Sequence, residues 1–444
     1  MLGEKKLKKI FEILLHQGSV DQIEILYSSS KNALTRFANN EIHQNMAWRN
    51  LFVSIRVIIG KKIGVAQTSS IKKKSLDITL NKAIEIAKNQ QSDPDFVTLP
   101  VPKKTSKLSE RVSNFSIDKM GKGAGSIIEI AKKKQLTASG AYACEISEVA
   151  VANSLGVFQY HKSASVNLST VILADTSSGF ASQVAKNQVD IRPQEVGEVA
   201  VYKALESAKP KDLPPDDYEV ILEPQAVSEI MSFLSWYGPN ARIYHEGASC
   251  FSKKMDQQVF GSNINIIDDP FHELVFPMPF DYEGFPKKKL EIVKNGVLKN
   301  IAYDSYHANK FGMQNTGHAL PAPNTIGPVP LHMYIKEGNE TKTQMIKNVK
   351  KGLLITRFWY VRVLNPKTLN ITGMTRDGTF LIKDGEVVGP VKNMRFNQSI
   401  PEALNNVLAI ENKLNAVGSF EGEMISLSPT LHIGKWSFSS STLF

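Results

Sequence analysis

Cysteine is nearly missing: in 444 residues only Cys144 and Cys250 occur. Two thiols exclude a disulfide framework and a cysteine-rich zinc module, and they fit a reducing, cytoplasmic setting. No run of about 18 apolar residues occurs, so no helical membrane span is expected. The opening stretch MLGEKKLKKIFEILLHQGSV breaks its apolar residues with charge and lacks a small-residue cleavage site. A signal peptide is therefore not expected. Residues 121–126 (GKGAGS) lack Walker spacing, and there is no G-x-S-x-G elbow, which leaves neither a phosphate loop nor a serine-hydrolase nucleophile. Internal repeats and nucleic-acid-binding signatures are also missing.

What remains is an ordinary globular composition, 42% apolar and 22% charged, long enough for two domains with large cores. The net charge of +10 could attract nucleic acid, an anionic membrane or acidic polypeptide. Its lysines, however, lie in short scattered runs such as Lys72 to Lys74 and Lys287 to Lys289, without interleaved aromatics. A solvated surface is the plainer reading, and nucleic acid is not an expected partner.

Leu7, Ile10, Phe11, Leu14 and Leu15 form one helical stripe, with Gly18 as its stop. A strand (22–28) and two hairpins follow, turning at Asn39-Asn40 and Gly60, and then a helix over 75–89. Residues 92–114 read as a long surface connection, 141–152 and 157–175 as strands joined through a turn at 153–156, and 193–208 as a helix. The proline-rich, charged segment 209–217 (KPKDLPPDD) is the best boundary, separating domains 1–208 and 218–444. Beyond it, Pro224 opens a helix to Trp236, and Asn295-Gly296, Asp377-Gly378 and Asp384-Gly385 read as hairpin turns in a mainly β region, with a last helix near 401–414. The fold class is α+β: a mixed N-terminal α/β domain and a mainly antiparallel, barrel-like C-terminal β domain.

Several stretches are similar to the TldD/PmbA family. They begin with Thr35 to Ile42, Val53 to Ile58 and Asn153 to Gly156. The C-terminal half adds Phe280-Asp281-Tyr282-Glu283-Gly284, Asn315 to Ala319, Thr356 to Val363, Thr372 to Gly378 and Pro390 to Phe396. Each is weak alone, but their order from Thr35 to Phe396 is specific. The peptide-cleaving branch of the family resembles other zincins, with His-Glu-x-x-x-His on a helix and a cysteine near the C-terminus. That chemistry needs neutral imidazoles, a thiolate and an open position for water. Counting from the strand Val220 to Glu223, Ser232 and Tyr237 stand at the two histidine positions and Phe233 at the glutamate. Residues 418–430 (GSFEGEMISLSPT) contain no cysteine, and Phe420 falls at the ligand position.

The resemblance thus implies the TldE/PmbA-like branch: a metal-free, non-catalytic subunit with no cofactor of its own. A TldD-like partner would supply zinc, and the substrate would be peptide or unfolded polypeptide. Asp281, Tyr282, Glu283, His318, Arg357 and Trp359 sit in family-like motifs and are candidates for a cleft or interface; structural roles are equally open to them. One alternative is a stand-alone metallopeptidase using His245 and Cys250, although Gly247 weakens a helical reading there. A second is a nucleic-acid-associated regulator, suggested by the charge and by the family's older description as a gyrase modulator.

Overall fold

The computed structural model describes residues 1–16, 20–106, 112, 114–418 and 425–442. Gly18 and the segment 419–424, which includes Phe420, lie outside the described residues. Helix α1 (Glu4–Leu15) buries Leu7, Phe11 and Leu14, the stripe read from the sequence. Then come strands β1 (Gln22–Ala38), β2 (Glu41–Ile59) and β3 (Lys62–Thr68), helices α2 (Lys73–Asn89) and α3 (Ile117–Lys133), and strands β4 (Thr137–Asn153), β5 (Phe158–Leu173) and β6 (Ser178–Ala185). Helix α4 (Pro193–Glu206) closes this half. The six strands form one antiparallel sheet in the order β3-β2-β1-β4-β5-β6. Asn39 and Asn40, at φ 52° and 62°, make the β1–β2 turn that asparagine tolerates.

All four helices cover one face of this sheet, in two clusters. α1 and α2 pack on Ile23, Ile25, Tyr27, Val53, Ile55 and Val57, while α3 and α4 pack on Ala33, Phe37, Tyr142, Val166 and Leu168. The two ends repeat one device: a glycine in the outer strand lies directly under a helix. A β-carbon on Gly64 would come within 2.1 Å of the Ala83 carbonyl, and one on Gly179 within 2.1 Å of the Ala200 carbonyl.

Helix α3 runs through 121–126, which the sequence offered only as a failed phosphate loop. Three glycines lower its helical propensity. Burial of Met120, Ala124, Ile127, Ile128 and Ala131 and the Ser116 cap offset that loss. Gly123 admits the Tyr142 ring and Pro193 at about 3.0 Å from where a β-carbon would stand. The long connection 92–114 is not wholly surface, since Phe96 and Leu99 are buried beside Ile58.

In the second half, β7 (Asp217–Leu222) leads into α5 (Pro224–Tyr237) and the short α6 (Ala241–His245). A small four-stranded sheet follows, made of β8 (Ile266–Asp268), β9 (Leu290–Lys294), β10 (Val297–Leu298) and β11 (Met333–Ile335), with α7 (Ser305–Phe311) between β10 and β11. After α8 (Lys342–Asn348) come β12 (Lys351–Asn365), β13 (Asn370–Lys383), β14 (Glu386–Pro390) and β15 (Met394–Ser399). The chain continues through α9 (Ile400–Asn405), β16 (Val407–Ile410), the hairpin β17 (Asn415–Gly418) and β18 (Ile425–Ser428), and β19 (Leu431–Ser441). β7, β19, β15, β13 and β12 close on themselves as a five-stranded barrel, because β12 pairs with both β13 and β7. β12 and β7 run parallel, and the other pairs in the ring are antiparallel. Phe358, Phe396 and Trp436 stack inside the barrel, with ring centroids 4.6–5.3 Å apart.

Two expectations in this half are corrected. The helix expected over 401–414 ends at Asn405, because Val407, Ala409 and Ile410 pair with β19. Asp377-Gly378 is not a hairpin turn but an irregularity inside β13, with φ of 54° and 124°, where the register against β12 slips. Asn295-Gly296 and Asp384-Gly385 do turn hairpins, both residues of each pair having positive φ. The segment 209–217 is pinned to the second half: the Lys392 amide donates to the Lys211 carbonyl, and the Tyr218 hydroxyl donates to that of Pro214.

Candidate functional site: a cleft between the two halves

The face of the N-terminal sheet opposite its helices meets the C-terminal half. Leu26 and Val151 pack on Phe280 there. Three cavities lie along this junction. One of about 410 Å³ is bounded by β6, α4, the start of α5 and β17. One of about 210 Å³ lies between the polar β4–β5 surface (Glu145, Ser147, Ser163, Ser165) and residues 276–282 with His332. The largest, about 860 Å³, lies on the other side of the junction and is lined by Arg56, His245, Glu283, His307 and Phe311.

The structure divides the six candidate residues into two groups. Asp281, Glu283 and His318 belong to a buried polar network. Asp281 Oδ1 accepts from the Glu283 and Phe285 amides, and Oδ2 from the Ala319 amide. Burial, helped by the charge of Glu283, still pushes its carboxyl up to about 8. Glu283 receives Arg56 of β2 at 3.0 Å and the Ser305 amide at 3.2 Å, and Arg56 also holds Glu24 of β1 at 2.6 Å. Burial pushes Glu24 up to about 7, against the pull of Arg56 and with the push of Glu283. His318 is fully buried, with Nε2 3.1 Å from Asp268 and Nδ1 2.8 Å from the Thr316 hydroxyl. Burial lowers the His318 pKa, against the raising effect of Asp268. Burial would raise Asp268, but the hydrogen bond and charge of His318, with Lys287 and His332, hold it well below the usual range. Lys287 Nζ is buried with no hydrogen-bond partner among the described residues, facing the charges of Asp268 and Asp281. Tyr282 lines the 210 Å³ cavity and packs near Phe280.

Arg357 and Trp359 lie apart, on β12. Arg357 Nε donates to Asp377 Oδ2 at 2.6 Å, and its guanidinium lies over the rings of Phe180 (4.5 Å) and Trp359 (5.0 Å). Asp377 also accepts from Ser178 of β6 at 2.5 Å. The irregularity at Asp377-Gly378 therefore joins the barrel to the N-terminal sheet. Nearby, Glu223 stands at the residue before α5, its carboxylate held between Lys203 (2.5 Å) and Lys342 (2.8 Å). Burial would raise Glu223, yet the two ammonium groups bring it down to about 2. Gln225 Nε2 donates to the Gly418 carbonyl. Thr356 Oγ1 lines the 410 Å³ cavity, buried and without a hydrogen-bond partner among the described residues.

Helix α5 follows β7 through Pro224, as the sequence predicts, and ends at Tyr237. Ser232, Phe233 and Tyr237 are partly buried on it. A hydroxyl, a phenyl and a phenol do not provide the nitrogen and carboxylate donors of a zincin helix, so these residues do not fit zinc. Among the described residues no three His, Cys, Asp or Glu side chains cluster to hold a metal. His245 bonds Tyr303 at 2.9 Å and stacks on Phe311 at 3.7 Å, while Cys250 is buried in the C-terminal core.

Residues 215–440, just over half the chain, match the PmbA/TldA metallopeptidase C-terminal domain, residues 23–87 its domain 1, and residues 103–208 its central domain. The chain belongs to the PmbA/TldD family. It is 21% identical to metalloprotease PmbA of Escherichia coli O157:H7, over 90% of this chain and 89% of that protein. It is 23% identical to an uncharacterized protein of Methanocaldococcus jannaschii, over 95% and 100%. Its fold superposes on the crystal structure of TldE from Thermococcus kodakarensis with a TM-score of 0.87 at 20% identity, covering 98% and 99% of the two chains. Arg56 stood in a family-like stretch, but nothing in the sequence paired it with Glu24 or Glu283. Glu223 closed the strand from which the α5 motif was counted, but nothing in the sequence paired it with Lys203 or Lys342.

Proposed function

We propose that this chain is the metal-free, non-catalytic subunit of a heteromeric cytoplasmic metallopeptidase acting on peptides or unfolded polypeptides, with zinc carried by a TldD-like partner. The observation that carries the reading is α5: the helix is retained while Ser232, Phe233 and Tyr237 stand where metal and water-activating groups belong. What remains is a cleft suited to holding a chain rather than cutting it. Among the described residues β6 is the last strand of the N-terminal sheet, without a paired neighbour on its outer edge, and lies beside the 410 Å³ cavity, where Gln225 and Ser182 offer polar contacts. An extended peptide bound through its main chain needs little sequence selectivity. A partner seated across the cleft would enclose the substrate beside the metal.

The test is to assay this chain, a metal-bearing TldD-like subunit, and both together on an unfolded polypeptide, with elemental analysis of each. Activity only from the mixture, abolished by chelator, with zinc in the partner alone, is the expected result. Full activity from this chain alone, or one tightly bound zinc per chain, overturns the reading.

A further inference from the structure

The lysines that lie in short scattered runs along the sequence are gathered by the fold. Helices α1, α2 and α3 with their flanking residues (4–16, 72–90 and 116–134) contain fourteen lysines, six acidic residues and no arginine, so they carry +8 of the chain's net +10. All fourteen lysines are exposed. They face outward because the other side of each helix is packed on the N-terminal sheet, through Leu7, Leu80, Ile127 and their neighbours. Helix α4 does not share the bias: it has three glutamates and a single lysine, Lys203, which Glu223 already holds. Each of the three basic helices also leaves one isoleucine in the open. Ile13 is 56% exposed, Ile78 59% and Ile117 38%. Ile78 stands one helical turn from both Lys74 and Lys82, and Ile13 one turn from Lys9.

We propose that this helical face docks on the surface of an anionic phospholipid bilayer. Lysines close to a negatively charged leaflet each add to the attraction. Apolar side chains set among them bury at the boundary between headgroups and acyl chains. The isoleucines favour lipid over nucleic acid, because a polyanion in water offers them no apolar phase. The three segments also lack the arginine forks that grip nucleic-acid phosphates, and their one aromatic, Phe11, is buried rather than free to stack on a base. Among the described residues no helix is long and apolar enough to cross a membrane, so the contact is peripheral. The helices lie on the side of the sheet away from the cleft. Docking therefore leaves the cleft open, and it stands independently of the reading of α5.

Vesicle flotation of the full chain tests it, at about 0.15 M salt. The chain floats with phosphatidylcholine vesicles containing about one-third phosphatidylserine, does not float with phosphatidylcholine alone, and is released by high salt. Lys72→Glu/Lys73→Glu/Lys74→Glu weakens binding on the order of a hundredfold, whereas the charge-matched Lys347→Glu/Lys350→Glu/Lys367→Glu in the second half changes it less than about threefold. Ile13→Ser/Ile78→Ser leaves the charge unchanged and weakens binding roughly tenfold. All the substituted positions are exposed, and far-ultraviolet circular dichroism checks that each variant is folded. No flotation with the anionic vesicles, equal losses in the two triple variants, binding indifferent to the isoleucine pair, or tighter binding to duplex DNA or polyglutamate at the same salt each overturns the docking.

Discussion

Arg56 holds two largely buried carboxylates, Glu24 and Glu283, at the wall of the 860 Å³ cavity. The arrangement has a pH signature. Glu24 titrates near 7 in the folded chain against an ordinary value of 4.5, so the folded state binds that proton more tightly than the unfolded state. Its contribution to stability is therefore greatest below about 4.5 and is lost as pH rises through about 7. Asp281, at about 8, extends the decline. His332, lowered to about 4 mainly by burial, adds stability as pH rises from about 4 to about 6.5 and works the other way. The diagnostic quantity is thus a difference: urea midpoints measured from pH 4.5 to 8 should fall less steeply in Glu24→Gln than in wild type. Equal slopes would remove Glu24 as the titrating group. At the second junction, Asp377→Asn withdraws the charge holding Arg357, and truncating one member of such a buried pair costs on the order of 3 kcal/mol. Chemical denaturation measures it; a loss within error of zero would mean the pair is dispensable.

At the scale of single elements, glycine explains both a device and a misreading. Gly179 lies under Ala200 and Gly64 under Ala83 because strand and helix approach too closely for any side chain. Gly179→Val should destabilise by about 1–3 kcal/mol or more, since the backbone of α4 must move. Gly125→Ala, on the same half but with open space around it, should be neutral or slightly stabilising by the helix propensity it gains. Paired melts of the two variants separate packing from propensity. The same residue type hid α3 from sequence reasoning, because the glycines of 121–126 suggest only a phosphate loop, and the Tyr142 ring and Pro193 that fill the gap at Gly123 lie outside any local pattern. Helices with clean stripes, such as α1 and α5, were legible to within a residue or two. The Asp377-Gly378 signal was legible as positive φ but not as a bulge, since only the carboxylate's partners, Arg357 and Ser178, distinguish the two. The candidate site was half legible: motifs marked Asp281, Glu283, His318 and Arg357, while Glu24, Glu223, Lys203 and Lys287 owe their importance to burial, which no local pattern carries.

For the molecule as a whole, the two halves share charged contacts on both sides of the cleft: Arg56 to Glu283, Lys203 to Glu223 and Ser178 to Asp377. A protease nick within 209–217 should therefore leave the fragments together on a native sizing column and separate them only in mild denaturant. Immediate dissociation would mean these contacts are weak.

The barrel ring carries a consequence for synthesis. β7 emerges from the ribosome early, but its two neighbours are β12 and β19, the latter reaching Ser441. The N-terminal sheet is complete by Ala185 and can fold while translation continues, whereas β7 must wait about 130 residues for β12 and more than two hundred for β19. Nascent chains stalled shortly before β19 should show a protease-resistant first half and a sensitive second half, and a holding chaperone should be needed most during that interval.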